Sequence, residues 1–89
     1  MIERETEIVN RLGLHARAAA KLVHTAGAFQ ARVTVAKDGE EVDAKSILGI
    51  LLLAAGQGSQ IVVRAEGQDE AEALQAVTTL IANRFDEES

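Results

Sequence analysis

The sequence predicts a two-layer α+β domain, with helices covering one face of a sheet, and three observations predict it. Apolar residues recur with period 2 in some segments and near period 3.6 in others, in the order βαββαβα. None of the helical segments is apolar all round, so each must bury a single stripe against a neighbouring layer. The chain has 89 residues, 47% of them apolar, which suffices for one hydrophobic core over residues 1–89 without metal or disulfide staples.

Each element has its own signal. Residues 2–9 form a weak strand that ends in Ile8-Val9. Residues 16–27 form a helix, with Ala16, Ala19, Ala20, Val23 and Ala26 marking one face and Gly27 as a natural stop. Val33 and Val35 alternate within a strand at 32–37, and Asp38-Gly39 turns it into a short strand at 40–43. Ser46 caps a helix that runs to the region of Leu53. Gly56-Gln57-Gly58 ends it, a spacing that suits a helix stop and turn better than a phosphate loop. Ile61, Val63 and Ala65 share one face of a strong strand at 60–66. The last helix covers 69–85, with Asp69 and Glu72 as a capping-box pair and Leu74, Val77, Ile81 and Phe85 as its buried stripe.

Composition removes several classes of function. A net charge of −5, no Trp or Tyr and only two Phe argue against a nucleic-acid binder. Cysteine is absent, and His15 and His24 lack a shared helical-face spacing, so no metal and no cofactor is expected. The acidic start has no signal-peptide core, and the longest apolar run, at 47–55, is too short to span a bilayer. A cytoplasmic protein without membrane insertion is expected. A stand-alone enzyme is disfavoured, because no nucleophile–base set, paired carboxylates or cofactor loop stands out.

One short stretch carries chemistry. The first helix opens at Gly13-Leu14-His15, where an N-cap Ser, Thr, Asp or Asn would normally stand. Helix N-termini present unpaired N–H groups and partial positive charge, which disfavours imidazolium and suits a phosphate. If His15 is the non-helical cap residue, Arg17 can curl back and offer planar donors to phosphate oxygens. Gly13 lets the preceding backbone turn sharply. An ordinary polar residue at a loop–helix junction is the competing account of His15. His24, in the last turn, needs no chemistry. The carboxylates at 40–43, 69–72 and 86–88 read as solvated surface and a frayed tail.

Gly13-Leu14-His15-Ala16-Arg17, followed by Ala-Ala-Lys-Leu-Val, resembles the active-site signature of the HPr family, the histidine-containing phosphocarriers of the bacterial phosphoenolpyruvate-dependent phosphotransferase system. A second motif, Lys45-Ser46-Ile47-Leu48-Gly49-Ile50, stands where that family has one, and the likeness spans essentially the whole chain. The resemblance implies an open-faced sandwich, with a four-stranded antiparallel sheet and three helices on one face. It implies that His15 takes a phosphoryl group from Enzyme I and passes it to a sugar-specific IIA component, a carrier role rather than an enzymatic one. Arg17 would contact the phosphate, together with the backbone of Ala16, Arg17 and Ala18.

The family commonly has proline where this chain has Ala18, which leaves a free donor in the first turn and is expected to alter the phosphate environment slightly. Ser46 is sufficiently explained as a cap, and the resemblance adds regulation there by an HPr kinase/phosphorylase. Ile50 and Leu53 are expected to face the core. Ile47, Leu48 and Leu51 would form a docking face, with Arg17, Lys21 and Lys45 as a basic rim that steers acidic partners. The alternative is a regulatory interaction module of a nitrogen-related or catabolite-control branch, acting on a kinase or a transcriptional regulator. A monomer is expected in either case.

Overall fold

Alternation along the strands divides the sheet into a dry face and a wet one. In the computed structural model, which describes residues 1–89, the strands are β1 (Ile2–Glu7), β2 (Arg32–Lys37), β3 (Glu40–Asp43) and β4 (Gln60–Glu66). They pair in the order β1-β4-β2-β3, every neighbour antiparallel. The helices are α1 (Ala16–Gly27), α2 (Ile47–Leu52) and α3 (Glu70–Ala82), so the order is the expected βαββαβα. Val33 and Val35 of β2 and Ile61, Val63 and Ala65 of β4 are buried. They join Leu22, Ile50, Val77, Ile81 and Phe85 in one cluster of 21 residues.

The opposite face is held by charge instead. Arg64 donates from Nε to Glu3 and from Nη1 to Glu41, each at 2.9 Å, and the Thr34 hydroxyl donates to the same Glu41 oxygen at 2.7 Å. A face with this network in solvent carries no second helical layer, which makes the sandwich open-faced.

Three local expectations are corrected. The buried stripe of α1 is Ala18, Ala19, Leu22 and Ala26, while Ala16 and Ala20 are exposed and Val23 is half-buried. An alanine-rich run has methyl groups on every side, so its phase is set by what Leu22 packs against rather than by the alanines. No capping box forms at α3. The Asp69 carboxylate accepts from the amides of Gln30 at 2.9 Å and Ala31 at 2.8 Å, so the loop after α1 takes the oxygens a cap would use.

The third correction concerns the end of the chain. α3 stops at Ala82, and Arg84, Phe85 and Asp86 follow as a left-handed turn with φ of 59°, 54° and 63°. Glu87 N–H closes it on the Arg84 carbonyl at 2.9 Å. Phe85 is fully buried, as its place in the apolar stripe requires, but it enters the core from this turn and not from the helix. Left-handed backbone costs an L-residue roughly 1–2 kcal/mol, and such strain persists where the surroundings over-determine it. Asp86→Gly is therefore expected to raise stability by about 0.5–1 kcal/mol, net of the freedom glycine adds to the unfolded chain, read as a higher denaturation midpoint.

Candidate functional site

His15 is the N-cap residue of α1. Its backbone is extended (φ −81°, ψ 179°), its carbonyl accepts from Ala19 N–H at 2.8 Å, and its Nδ1 accepts from Arg17 N–H at 3.3 Å. Imidazole thus does the work of a capping oxygen, over a longer bond than an oxygen would make. An amide N–H can only donate, so Nδ1 carries a lone pair directed at the helix mouth. Ala16, Arg17 and Ala18 form the first turn, where no carbonyl four residues earlier lies on the helix to accept their N–H groups.

The approach to that cap is held from a distant part of the chain. Gly13 has φ +67°, and a Cβ there would stand 2.6 Å from the Ala55 carbonyl oxygen and 2.7 Å from Gly56 Cα. Leu14 N–H donates to the same Ala55 oxygen at 2.9 Å. The loop after α2 therefore clamps the loop before α1, and Gly13 is required twice, for its dihedral and for the close approach. Gly58 turns with φ +90° and belongs to this connection, so the Gly56–Gly58 stretch serves as a turn and not as a phosphate loop.

His15 lines an open depression with Arg11, Leu12, Arg17, Asp86 and Glu87. Arg17 is exposed, and its guanidinium makes no hydrogen bond or ion pair within the chain. A free planar donor set therefore stands beside the ring, as expected from its place two residues after a non-helical cap. Lys21 Nζ is committed to the Phe85 carbonyl at 2.7 Å, and Lys45 Nζ to the Phe29 carbonyl at 2.8 Å. Of the three cations expected in a rim, only Arg17 has no partner.

The carboxylates at 86–88 are not all frayed surface. Glu87 contacts His15 Nε2 through Oε2 and accepts from Asn10 Nδ2 through Oε1 at 2.9 Å. Asn10 is fully buried and gives its other amide hydrogen to the Gly13 carbonyl at 2.9 Å. Donation from Asn10 first, then the contact with His15 and the nearby Lys21 ammonium, holds the Glu87 carboxyl below its usual range, against partial burial that pushes it up. Glu87 was expected in a frayed tail, and Asn10 carries no signal in the sequence. Asn10 and Glu87 lie 77 positions apart, and no local pattern links them.

At the second motif the Ser46 hydroxyl accepts from Gly49 N–H at 3.1 Å, the expected cap of α2. Ile50 and Leu53 are buried. Ile47 is 44% exposed, Leu48 67% and Leu52 68%, whereas Leu51 is half-buried against the core. The open apolar side of α2 is thus Ile47-Leu48-Leu52. Leu51 differs from expectation because it follows Ile50 around the helix and shares the edge of its contact.

No helix is long and apolar enough to cross a membrane. The sequence profile described as "PTS HPr component phosphorylation site" matches residues 2–83. The chain is 53% identical to the phosphocarrier protein HPr of Cupriavidus necator over 87 residues, covering 98% of both chains. It is also 53% identical to the phosphocarrier protein HPr of Xylella fastidiosa over 89 residues and 100% of both. A crystal structure of HPr-C-His from Thermoanaerobacter tengcongensis superposes with a TM-score of 0.96 at 47% identity, covering 100% of both chains. A profile match over nearly the whole length, and relatives of this identity end to end, establish that the chain belongs to the HPr family of phosphocarrier proteins of the phosphotransferase system.

Proposed function

We propose that this chain accepts a phosphoryl group on His15 from phospho-Enzyme I and donates it to IIA components of the phosphotransferase system. The observation that carries the reading is the His15 ring at the mouth of α1, with its Nδ1 lone pair facing the first turn in an open depression. In the forward step the Nδ1 lone pair attacks phosphorus, and the atom of phospho-Enzyme I that carried the phosphoryl group keeps the electron pair of the bond that breaks. The phosphoryl oxygens replace Nδ1 as acceptor for Arg17 N–H, and the first-turn amides of Ala16 and Ala18 and the free Arg17 guanidinium complete a weak cradle. Weakness suits the role, since each ~1.4 kcal/mol of extra ground-state stabilisation shifts the handover tenfold. The protein is then a stoichiometric intermediate, not an enzyme, and needs no cofactor.

Docking of Enzyme I and IIA falls to the apolar side of α2, Ile47, Leu48 and Leu52 with the edge of Leu51, beside Lys21 and Lys45. Leu48→Asp is expected to lower the rate of phosphotransfer several-fold while leaving stability within about 0.5 kcal/mol, because the side chain is already in solvent. Ile50→Asp should instead unfold the protein, since it would bury an unpaired charge. Ser46, exposed enough at its cap to be reached, is a regulatory site for an HPr kinase/phosphorylase, and the charge added beside Ile47 would act on docking, including docking of a transcriptional regulator. We take the protein as a cytoplasmic monomer. The retained His15 favours the carrier over a purely regulatory module.

Incubation with phosphoenolpyruvate and Enzyme I tests the reading. Acid-labile phosphate on His15, transferable to a IIA component, is expected, and no labelling would refute it.

A further inference from the structure

We infer that Glu87 is a positioning residue for phosphoryl transfer: its carboxylate holds the proton of His15 on Nε2 and so keeps Nδ1 as the nucleophile. The inference rests on the phosphocarrier reading for its role, but its geometry stands apart from it. The two ring nitrogens have partners of opposite kind. Arg17 N–H can only donate, so it requires a lone pair on Nδ1; an ionised carboxylate can only accept, so it requires N–H on Nε2. Both demands select one neutral tautomer.

The carboxylate is itself held on several sides. Asn10 is fully buried between two acceptors, the Gly13 carbonyl and Glu87 Oε1, so its amide can be oriented only one way, nitrogen toward both. Its Oδ1 is left as the one buried side-chain atom without a hydrogen-bond partner, a penalty tolerated to keep that orientation. Glu87 reaches the ring only because the left-handed turn of Arg84, Phe85 and Asp86 redirects the chain after α3. That turn is anchored by the buried Phe85 ring and by Lys21 Nζ on the Phe85 carbonyl. Three strained residues and a buried amide converge on one carboxylate, which is more than a frayed tail requires.

The chemistry has a use for it. When neutral imidazole attacks through Nδ1, the N–P bond forms and the ring becomes a phosphoimidazolium that retains its Nε2 proton. The positive charge that develops on the ring faces the Glu87 carboxylate. On donation the electron pair returns to Nδ1 and the charge disappears. A carboxylate behind the ring therefore stabilises the transition state in both directions, as the buried aspartate does for the histidine of serine proteases.

Glu87→Gln separates this role from mere packing. Glutamine keeps an oxygen for Asn10 but turns an NH₂ toward Nε2, which favours the opposite tautomer. In the 15N-labelled protein, with the His15 ring neutral, wild type is expected to show the Nε2–H tautomer. The variant should shift toward Nδ1–H with its melting temperature nearly unchanged. Phosphorylation by Enzyme I and phosphoenolpyruvate should slow on the order of tenfold, well short of the ~10⁴-fold loss at a buried triad carboxylate, because Glu87 is partly solvated. A wild-type ring protonated on Nδ1 overturns the inference whatever the variant does. So does a variant with unchanged tautomer ratio, even if its rate falls, since that loss would belong to docking. If wild type takes up no phosphate at all, the phosphocarrier reading fails while the tautomer result still decides the role of Glu87.

Discussion

His15→Ala is expected to reduce acid-labile phosphate uptake to background while leaving the fold intact. The chain has no cysteine, and its other histidine, His24, is exposed in the last turn of α1, away from the first-turn amides that a phosphate needs. Nothing else in the molecule combines a nucleophilic nitrogen with a helix N-terminus. The stability loss should be small, because the substitution removes one 3.3 Å capping bond and its contact with Glu87, and losing a cap costs about 1 kcal/mol. Glu87 remains held by Asn10 in that variant. Phosphate release in acid, read alongside thermal unfolding, checks both halves. Persistent acid-labile label in a folded His15→Ala protein would place the acceptor elsewhere.

Gly13→Ala is expected to destabilise the protein by about 3 kcal/mol. Roughly 1–2 kcal/mol comes from placing an L-residue at φ +67°, and a further ~1–3 kcal/mol from driving a methyl into the Ala55 carbonyl and Gly56 backbone. Neither obstacle is a side chain that can rotate away. For a domain of this size that loss lowers the melting temperature by roughly 12–24 °C. Gly39→Ala supplies the control. It has φ +85° but nothing within 4 Å of a Cβ, so it carries the dihedral strain alone and should cost about 1 kcal/mol. Equal losses at the two positions would show that the close approach of the two loops contributes nothing.

Much of this molecule was legible in one dimension, and the reason differs from element to element. β2 and β4 matched their expected spans because Val33 and Val35, and Ile61, Val63 and Ala65, recur at every second position within runs rich in β-branched residues, and that period dictates which side is dry. The Ser46 cap was legible because its partner, Gly49 N–H, lies three residues on. The phase of α1 was not, since alanines mark no side. The Asp69 cap failed for the opposite reason, when amides from 38 and 39 positions away took its oxygens.

The candidate site divides along the same line. The stretch from Gly13 to Arg17 was enough to identify a histidine at a helix mouth with an arginine beside it, because capping, dipole and donor geometry all act within one helical turn. Which ring nitrogen faces that mouth was beyond it. That depends on Arg17 N–H from one side and on a carboxylate 72 positions away from the other. Glu87 is delivered by a turn whose strain is tolerated only because Phe85 is buried, Lys21 ties down its carbonyl and Asn10 receives the carboxylate. Sequence by itself determined the helix, its cap and the chemistry the cap invites, since these are short-range properties of neighbouring residues. Only the tertiary structure decided the partner on the far side of the ring, because packing brings together residues that no local interaction relates.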